Sequence, residues 1–383
     1  MSKKRKILIV TGSRGEYGYI RPVIKLIESD PALEYSVCAT NMHLLPEFGN
    51  TINLFHEDNI PVDNSVYSAL AGYTNASMAK SQGVFLLSFT DIVEKEKPNI
   101  ILLAGDRGEQ LVGAIVGYHM NVPVAHIQAG ELSGNVDGMV RHAIARLVHI
   151  HFAANRDAKD RLIRTGEQEF RVFNVGAPQV DEIRMGVFAS KEDTAKKFNL
   201  ELDKPVVLVV QHPVTEESAS SAEQMEATMG AVIEADMQTV IVYPNNDAGS
   251  TAIQQKIEKA RTTNMRVVRN MDREYFLGLM NIASVIVGNS SSGILEAPSF
   301  GLPAINIGRR QHGRFQGKNV IDVKEFKSAD ILSMMKKALS KEFCGSLKGM
   351  DNPYGDGKSS EKIVETLRTI KIDKNLLFKQ MAY

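Results

Sequence analysis

ASVIVGNSSSGILE, from Ala283 to Glu296, carries an apolar run straight into small hydroxyl residues. Ala283–Val287 reads as the end of a buried strand, and the residues after Gly288 as the opening of a short helix. Unpaired backbone N–H groups and the helix dipole favour an anion there, so the turn is a ready phosphate seat. Glu296, expected one turn into that helix, offers a carboxylate to a ribose diol. The ligand-free reading of the same residues is a serine cap with an acidic first turn. The stretch is not a nucleophile elbow, because Ser292 stands where G-x-S-x-G needs its second glycine.

The same succession of apolar run, polar turn and amphipathic helix recurs outward in both directions, as in parallel α/β layers. Strands are expected at Lys6–Thr11, Tyr35–Thr40, Ile100–Ala104, Val122–Ile127, His149–Ala153 and Arg171–Val175. Helices are expected between them at Tyr19–Ser29, Ser81–Glu96, Gly108–His119 and Val140–Leu147. The second half offers strands Val206–Val210, Thr239–Tyr243, Arg266–Val268, Val285–Val287 and Ala304–Ile307. Its helices are expected at Ser221–Ala235, Ala252–Thr262 and Arg273–Ile282. A polar stretch, Gly176–Lys204, separates the halves. The expected fold is α/β, with two doubly wound Rossmann-like domains, residues 1–176 and 177–358, and a ligand cleft between them. The last helix, within 359–383, is a candidate to pack back on the first domain.

Composition narrows the function. Lys plus Arg and Asp plus Glu each number 45 among 383 residues, so no global field draws nucleic acid or an anionic membrane. Any bound anion needs a local site. Two cysteines, Cys38 and Cys344, stand far apart, which suits a reduced cytoplasmic protein. The apolar run Ile7–Val10 is too short for a signal peptide, and no stretch approaches the ~20 apolar residues of a membrane span.

Ligands of parallel sheets sit beyond the C-terminal ends of strands, where this chain places Arg14, Glu16, Asp106, Arg107, Gln128, Glu131 and His212. Asp106 ends a strand that should be buried on both faces, and desolvation raises a carboxyl towards acid–base use. As an isolated residue it reads more readily as a cap of the helix at Gly108–His119. Glu131, Asp137, Arg141 and His142 cluster after the fourth strand, with carboxylates and a histidine suited to acid and base. His149 and His151 alternate on a strand and read as core residues. None of the nine histidines has zinc spacing, so no metal is expected. His212, held before Pro213, could stabilise a departing diphosphate, as could Arg14 and Arg310. With no P-loop and no convincing G-x-G-x-x-G after a strand, nucleotide-sugar chemistry is the class that remains.

TGSRGEY, LLAGDR, GELSGNVDGMVRHAI, QHPVT, YPNNDAGS, GNSSSGILEAPSFGLPAINIGRRQHGR and NPYGDG follow one another across nearly the whole chain. Together they resemble the hydrolysing UDP-N-acetylglucosamine 2-epimerases of sialic-acid-type sugar biosynthesis, and more distantly the non-hydrolysing 2-epimerases. The resemblance implies a glycosyltransferase-B-type fold, UDP as ligand, neither metal nor nicotinamide, and a homo-oligomer, dimer or tetramer. It implies anti elimination of UDP to a 2-acetamidoglucal, then addition of water to give N-acetylmannosamine and UDP. By position Asp106, Glu131 and Asp137 match acid–base carboxylates, with His212 and Arg14 a diphosphate clamp. Ser290 and Ser291 match phosphate-binding serines, Glu296 the ribose acceptor, and Met271 and Phe276 the uracil neighbourhood. Arg107, Gln128, His142 and Arg310 are the expected substrate neighbours. Family members often carry glutamate where this chain has Gln128, which cannot take a proton. Either that position has no part in proton transfer here, or Glu131 or Asp137 supplies the function, or the exchange marks a different sugar. Relatives acting on a UDP-2,4-diacetamido-trideoxy sugar of legionaminic-type pathways share most of these motifs. A glycosyltransferase of the same fold and, last, a non-catalytic nucleotide-sugar sensor are the remaining alternatives.

Overall fold

The computed structural model describes residues 4–70, 74–134, 136–245, 247–269 and 271–382. The chain forms two compact units. The first takes the chain up to Glu131, Asp137 to Asp181, and Tyr354 onward; the second takes Leu132–Val136 and Glu182–Pro353.

In the first unit β1 (Arg5–Thr11), β2 (Leu33–Thr40), β3 (Asn64–Val66), β4 (Ile100–Ala104), β5 (Val124–Ala129), β6 (Ile150–Ala153) and β7 (Val172–Asn174) form one parallel sheet. Their order is β3-β2-β1-β4-β5-β6-β7. Alternate residues of β1 fill two cores. Ile7 and Ile9 pack with Ile20 and Ile24 of the helix Arg14–Ser29 and with Ile363 and Leu367 of the helix Ser359–Thr369. Leu8 and Val10 pack on the other face with Phe85, Phe89 and Val112. Burial on both faces is why these strands read as unbroken apolar runs.

The second unit repeats the plan with β8 (Val206–Val210), β9 (Gln238–Val242), β10 (Met265–Val268), β11 (Val285–Gly288), β12 (Ala304–Ile307) and β13 (Val320–Val323). Their order is β10-β9-β8-β11-β12-β13, all parallel. Gly288 ends β11 at φ 136°, and a Cβ there would lie 2.1 Å from the Val210 carbonyl oxygen. Only glycine lets the strand close against β8 and turn into the serines.

Several boundaries differ from the sequence expectation for local reasons. The first helix starts at Arg14 rather than Tyr19, because Ser13 caps it by accepting the Glu16 N–H at 3.4 Å. The helix expected from Ser81 starts at Asn75, behind a capping box of Thr74 and Ser77. The helix expected from Val140 starts at Val136. The edge strands β3 and β13 were not expected; both are short and carry polar residues. The stretch expected as a polar separator contains helices Gln179–Arg184 and Lys191–Phe198. Asp181, at the end of the first unit's middle segment, accepts the N–H groups of Ser359 (3.0 Å) and Ser360 (2.7 Å), fixing the start of the returning helix. Among the described residues no helix is long and apolar enough to cross a membrane.

Candidate active site

Strand order reverses between β1 and β4 in the first unit and between β8 and β11 in the second, the points where open parallel sheets bind ligands. The first reversal sets the turn after β1 beside the turn after β4. Arg14 is half-buried as the first residue of its helix. Gly12 N–H donates to Glu16 Oε2 at 2.5 Å. Burial, then the neighbouring Glu109 carboxylate, pushes the Glu16 carboxyl well above the usual carboxylate range.

Asp106 does not occupy the cap position expected for it. The N-cap of the helix Gly108–His119 is Arg107, without a side-chain capping bond, and its Nε lies 3.4 Å from Glu109 Oε1. The Asp106 carboxylate instead takes NH2 of Arg141, a buried residue of the helix Val136–Leu147. The other end of that guanidinium, NH1, donates to the Glu131 carbonyl at 3.1 Å. The Asp106 side chain remains 22% exposed, while Arg141 is 1% exposed.

Gln128 stands near the end of β5 at φ 62°, where the register to β6 shifts between Ile127 and Ala129. It is 1% exposed, and its Nε2 has no partner among the described residues. Left-handed backbone in a non-glycine residue and an orphaned buried donor each cost about 1 kcal/mol or more, and such features concentrate at functional sites. Glu131 is also 1% exposed. Its Oε1 accepts from Asn155 Nδ2 at 2.6 Å and its Oε2 from Tyr354 Oη at 3.1 Å. Asp137 lies in the first turn of the helix that carries Arg141 and is partly exposed. On that helix the His142 imidazole is held below its ordinary range by burial and by Arg141, Arg161 and Arg146, which favours the neutral ring. His149 and His151 are buried; His149 Nδ1 accepts the Val124 N–H and His151 Nε2 meets Glu167.

In the second unit Asn289 joins the two turns at the reversal. Its Oδ1 accepts the His212 N–H at 2.7 Å and its Nδ2 donates to the His212 carbonyl at 2.8 Å. Arg310 NH1 and Gln311 Nε2 donate to the Asn289 carbonyl at 3.3 and 2.9 Å. His212 Nδ1 accepts the Asn245 N–H at 3.1 Å. Ser290 Oγ accepts the Ser292 N–H at 3.3 Å, and Ser291 occupies the cap position of the single turn Ser292–Leu295. Glu296 is therefore not inside a longer helix but at its end, where it accepts from Arg273 NH1 at 2.8 Å. Arg273 also binds Glu182 through Nε. Met271 is buried in the second unit's core, and Phe276 packs at the edge of that cluster.

Arg141, Asn155, Asn289, Arg273 and Tyr354 were given no role by the sequence. Arg141, Asn289 and Tyr354 lie within quoted motifs, GELSGNVDGMVRHAI, GNSSS and NPYGDG, which was the signal available. Asn155 looks like any helix cap, and indeed its Oδ1 accepts the Ala158 N–H at 2.8 Å. Asn135 and Asn246 of the quoted motifs lie outside the described residues.

Two parallel α/β domains, each with polar turns at its strand-order reversal, define a glycosyltransferase-B-type protein. A family model described as UDP-N-acetylglucosamine 2-epimerase matches residues 25–368. The chain belongs to that family and is a UDP-sugar 2-epimerase. It is 40% identical over 380 residues to the UDP-N,N'-diacetylbacillosamine 2-epimerase (hydrolyzing) of Legionella pneumophila, covering 99% of this chain and 100% of that protein. It is 33% identical over 337 residues to the UDP-N-acetylglucosamine 2-epimerase of Neisseria meningitidis, covering 88% of each. The fold matches the crystal structure of UDP-GlcNAc 2-epimerase from Neisseria meningitidis bound to UDP-GlcNAc. The TM-score is 0.80 at 21% identity, covering 94% of this chain and 99% of that one.

Proposed function

We propose that this chain is a hydrolysing 2-epimerase whose substrate is UDP-N,N'-diacetylbacillosamine, a UDP-2,4-diacetamido-trideoxy sugar. The end-to-end 40% identity to the Legionella pneumophila protein carries this reading. It reverses the order of the two substrates expected from sequence. UDP-N-acetylglucosamine is the second reading, favoured by the 33% identity to the Neisseria meningitidis protein.

The reaction needs a departing diphosphate, a base at sugar carbon 2 and a proton returned to the opposite face. The proton at carbon 2 has no neighbouring carbonyl to acidify it. Breaking the bond from carbon 1 to the diphosphate oxygen gives oxocarbenium character, which makes that proton removable. Its loss leaves a carbon 1–carbon 2 double bond and free UDP. Water then adds its hydroxyl to carbon 1, and a proton enters at carbon 2 from the other face, giving the free manno sugar.

Asp106 and Asp137, partly exposed carboxylates of the first unit, supply acid and base in this reading. Arg14 and His212 stabilise the diphosphate, with Ser290 and Ser291 as its hydroxyl partners. Glu296 takes the ribose, and Met271 and Phe276 neighbour the uracil. Arg107, Gln128, His142 and Arg310 complete the substrate surroundings.

The test is proton NMR in D₂O with each UDP sugar in turn. Free 2-epimerised diacetamido sugar deuterated at carbon 2, together with UDP, is the expected product. Turnover of UDP-N-acetylglucosamine alone would replace the first reading by the second. A UDP-linked epimer without free sugar would remove the hydrolytic step.

A further inference from the structure

Glu131 and Asp106 lie in one hydrogen-bonded network but in unlike positions. A proton-transfer group must come within about 3 Å of the proton it moves. Asp106 keeps an exposed edge, whereas Glu131 is 1% exposed with both carboxylate oxygens occupied. The partners on Glu131 are themselves fixed. Asn155 Oδ1 caps the helix Arg156–Arg164, which commits its NH₂ to Glu131 Oε1. Tyr354 is fully buried, and its carbonyl accepts the Ala177 N–H at 2.7 Å.

The backbone beside Glu131 is clamped as well. Gly130 sits at φ 78° with its carbonyl taken by Arg161 NH1 at 2.8 Å. A Cβ there would lie 2.6 Å from the Ala158 carbonyl oxygen, so this close approach requires glycine. Pinned at side chain and neighbour, Glu131 presents its carbonyl to Arg141 NH1, and the far end of the same guanidinium holds Asp106. Arginine is suited to this because its planar fork transmits orientation from one partner to the other.

We propose that Glu131 is a positioning residue: locked by Tyr354 and Asn155, it sets Arg141 and so aims the Asp106 carboxylate, without itself moving a proton. This rests on the reading of Asp106 as an acid–base group. It also gives the NPYGDG segment a task in the first unit, through Tyr354.

Glutamine tests the idea because it can accept from Asn155 through Oε1 and donate to the tyrosine oxygen, keeping the lock while removing the ability to take a proton. UDP release would be measured for Glu131→Gln, Glu131→Ala, Tyr354→Phe and Asp106→Asn, using both UDP-N,N'-diacetylbacillosamine and UDP-N-acetylglucosamine, with thermal midpoints recorded for each variant. Glu131→Ala should lower kcat on the order of a hundredfold, as misaimed catalytic groups do, while KM moves less than about threefold. Tyr354→Phe should lower kcat by about tenfold, and Glu131→Gln should restore kcat to within about threefold of the parent. If Glu131→Gln falls as far as Asp106→Asn with an unchanged thermal midpoint, Glu131 moves a proton and the proposal is overturned. Parent kcat in both Tyr354→Phe and Glu131→Ala would overturn it too. Full turnover by Asp106→Asn would instead sink the underlying acid–base reading, and this role with it. Should Glu131→Ala fail to fold, the Glu131→Gln and Tyr354→Phe pair decides the question unaided.

Discussion

His212 Nδ1 accepts the backbone N–H of Asn245 at 3.1 Å, which leaves Nε2 as the protonated nitrogen of the neutral ring. The backbone of His212 is fastened on both sides by the Asn289 amide. A histidine held this way is a fixed donor. Replacing it by alanine should weaken UDP binding by about tenfold, the worth of one hydrogen bond to a charged group. Calorimetric titration with UDP reads this directly, and an unchanged affinity together with an unchanged kcat would remove His212 from the site.

Asp106→Asn nearly preserves shape and leaves an oxygen for Arg141. It should keep UDP affinity within about twofold while turnover falls by about 10²–10⁴-fold, the range for loss of a general acid or base. Stopped assays of UDP release beside UDP titration separate the two effects. A parallel loss of binding and turnover would point to a disturbed site rather than a missing proton carrier.

Arg273 lies between Glu182 and Glu296, whose side chains are 4% and 7% exposed. Removing the arginine leaves two buried carboxylates without their shared counter-charge, at a cost of about 3 kcal/mol. Arg273→Leu should therefore lower the thermal midpoint, and added UDP should recover less of it than in the parent if Glu296 takes the ribose. A midpoint equal to the parent's would show that solvent already compensates these carboxylates.

Four histidines of the first unit are held neutral mainly by burial. His43 and His126 are pushed down to about 3, and His149 and His151 to about 4, from 6.5. Their folded values lie below the unfolded one, so the stabilisation is complete above pH 6.5 and is lost as pH falls towards 4 and below. Each should remove about 1.4 kcal/mol per pH unit within that window. Urea unfolding at pH 7.5, 6 and 5 should show a midpoint that drops steeply below 6.5. A flat midpoint would mean that these rings accept protons without unfolding.

The periodic pattern alone carried much of the fold. Val206–Val210, Ile100–Ala104 and Ala304–Ile307 were legible to the residue, since strands buried on both faces must be apolar throughout. Helix starts were less legible where the cap lay ahead of the amphipathic pattern, as at Ser13 and Thr74. β3 and β13 escaped because they are only three and four residues long, too short for a period to show.

By itself the sequence determined the two doubly wound halves and, through the order of its motifs, the family. Those properties follow from local periodicity and from residues close together in the chain. What Glu131 and Asp106 each can do was decided only by tertiary structure. Whether a carboxylate can reach a ligand depends on burial and on the donors that fill its oxygens. Here one donor comes from Asn155 and the other from Tyr354, 223 residues away from Glu131.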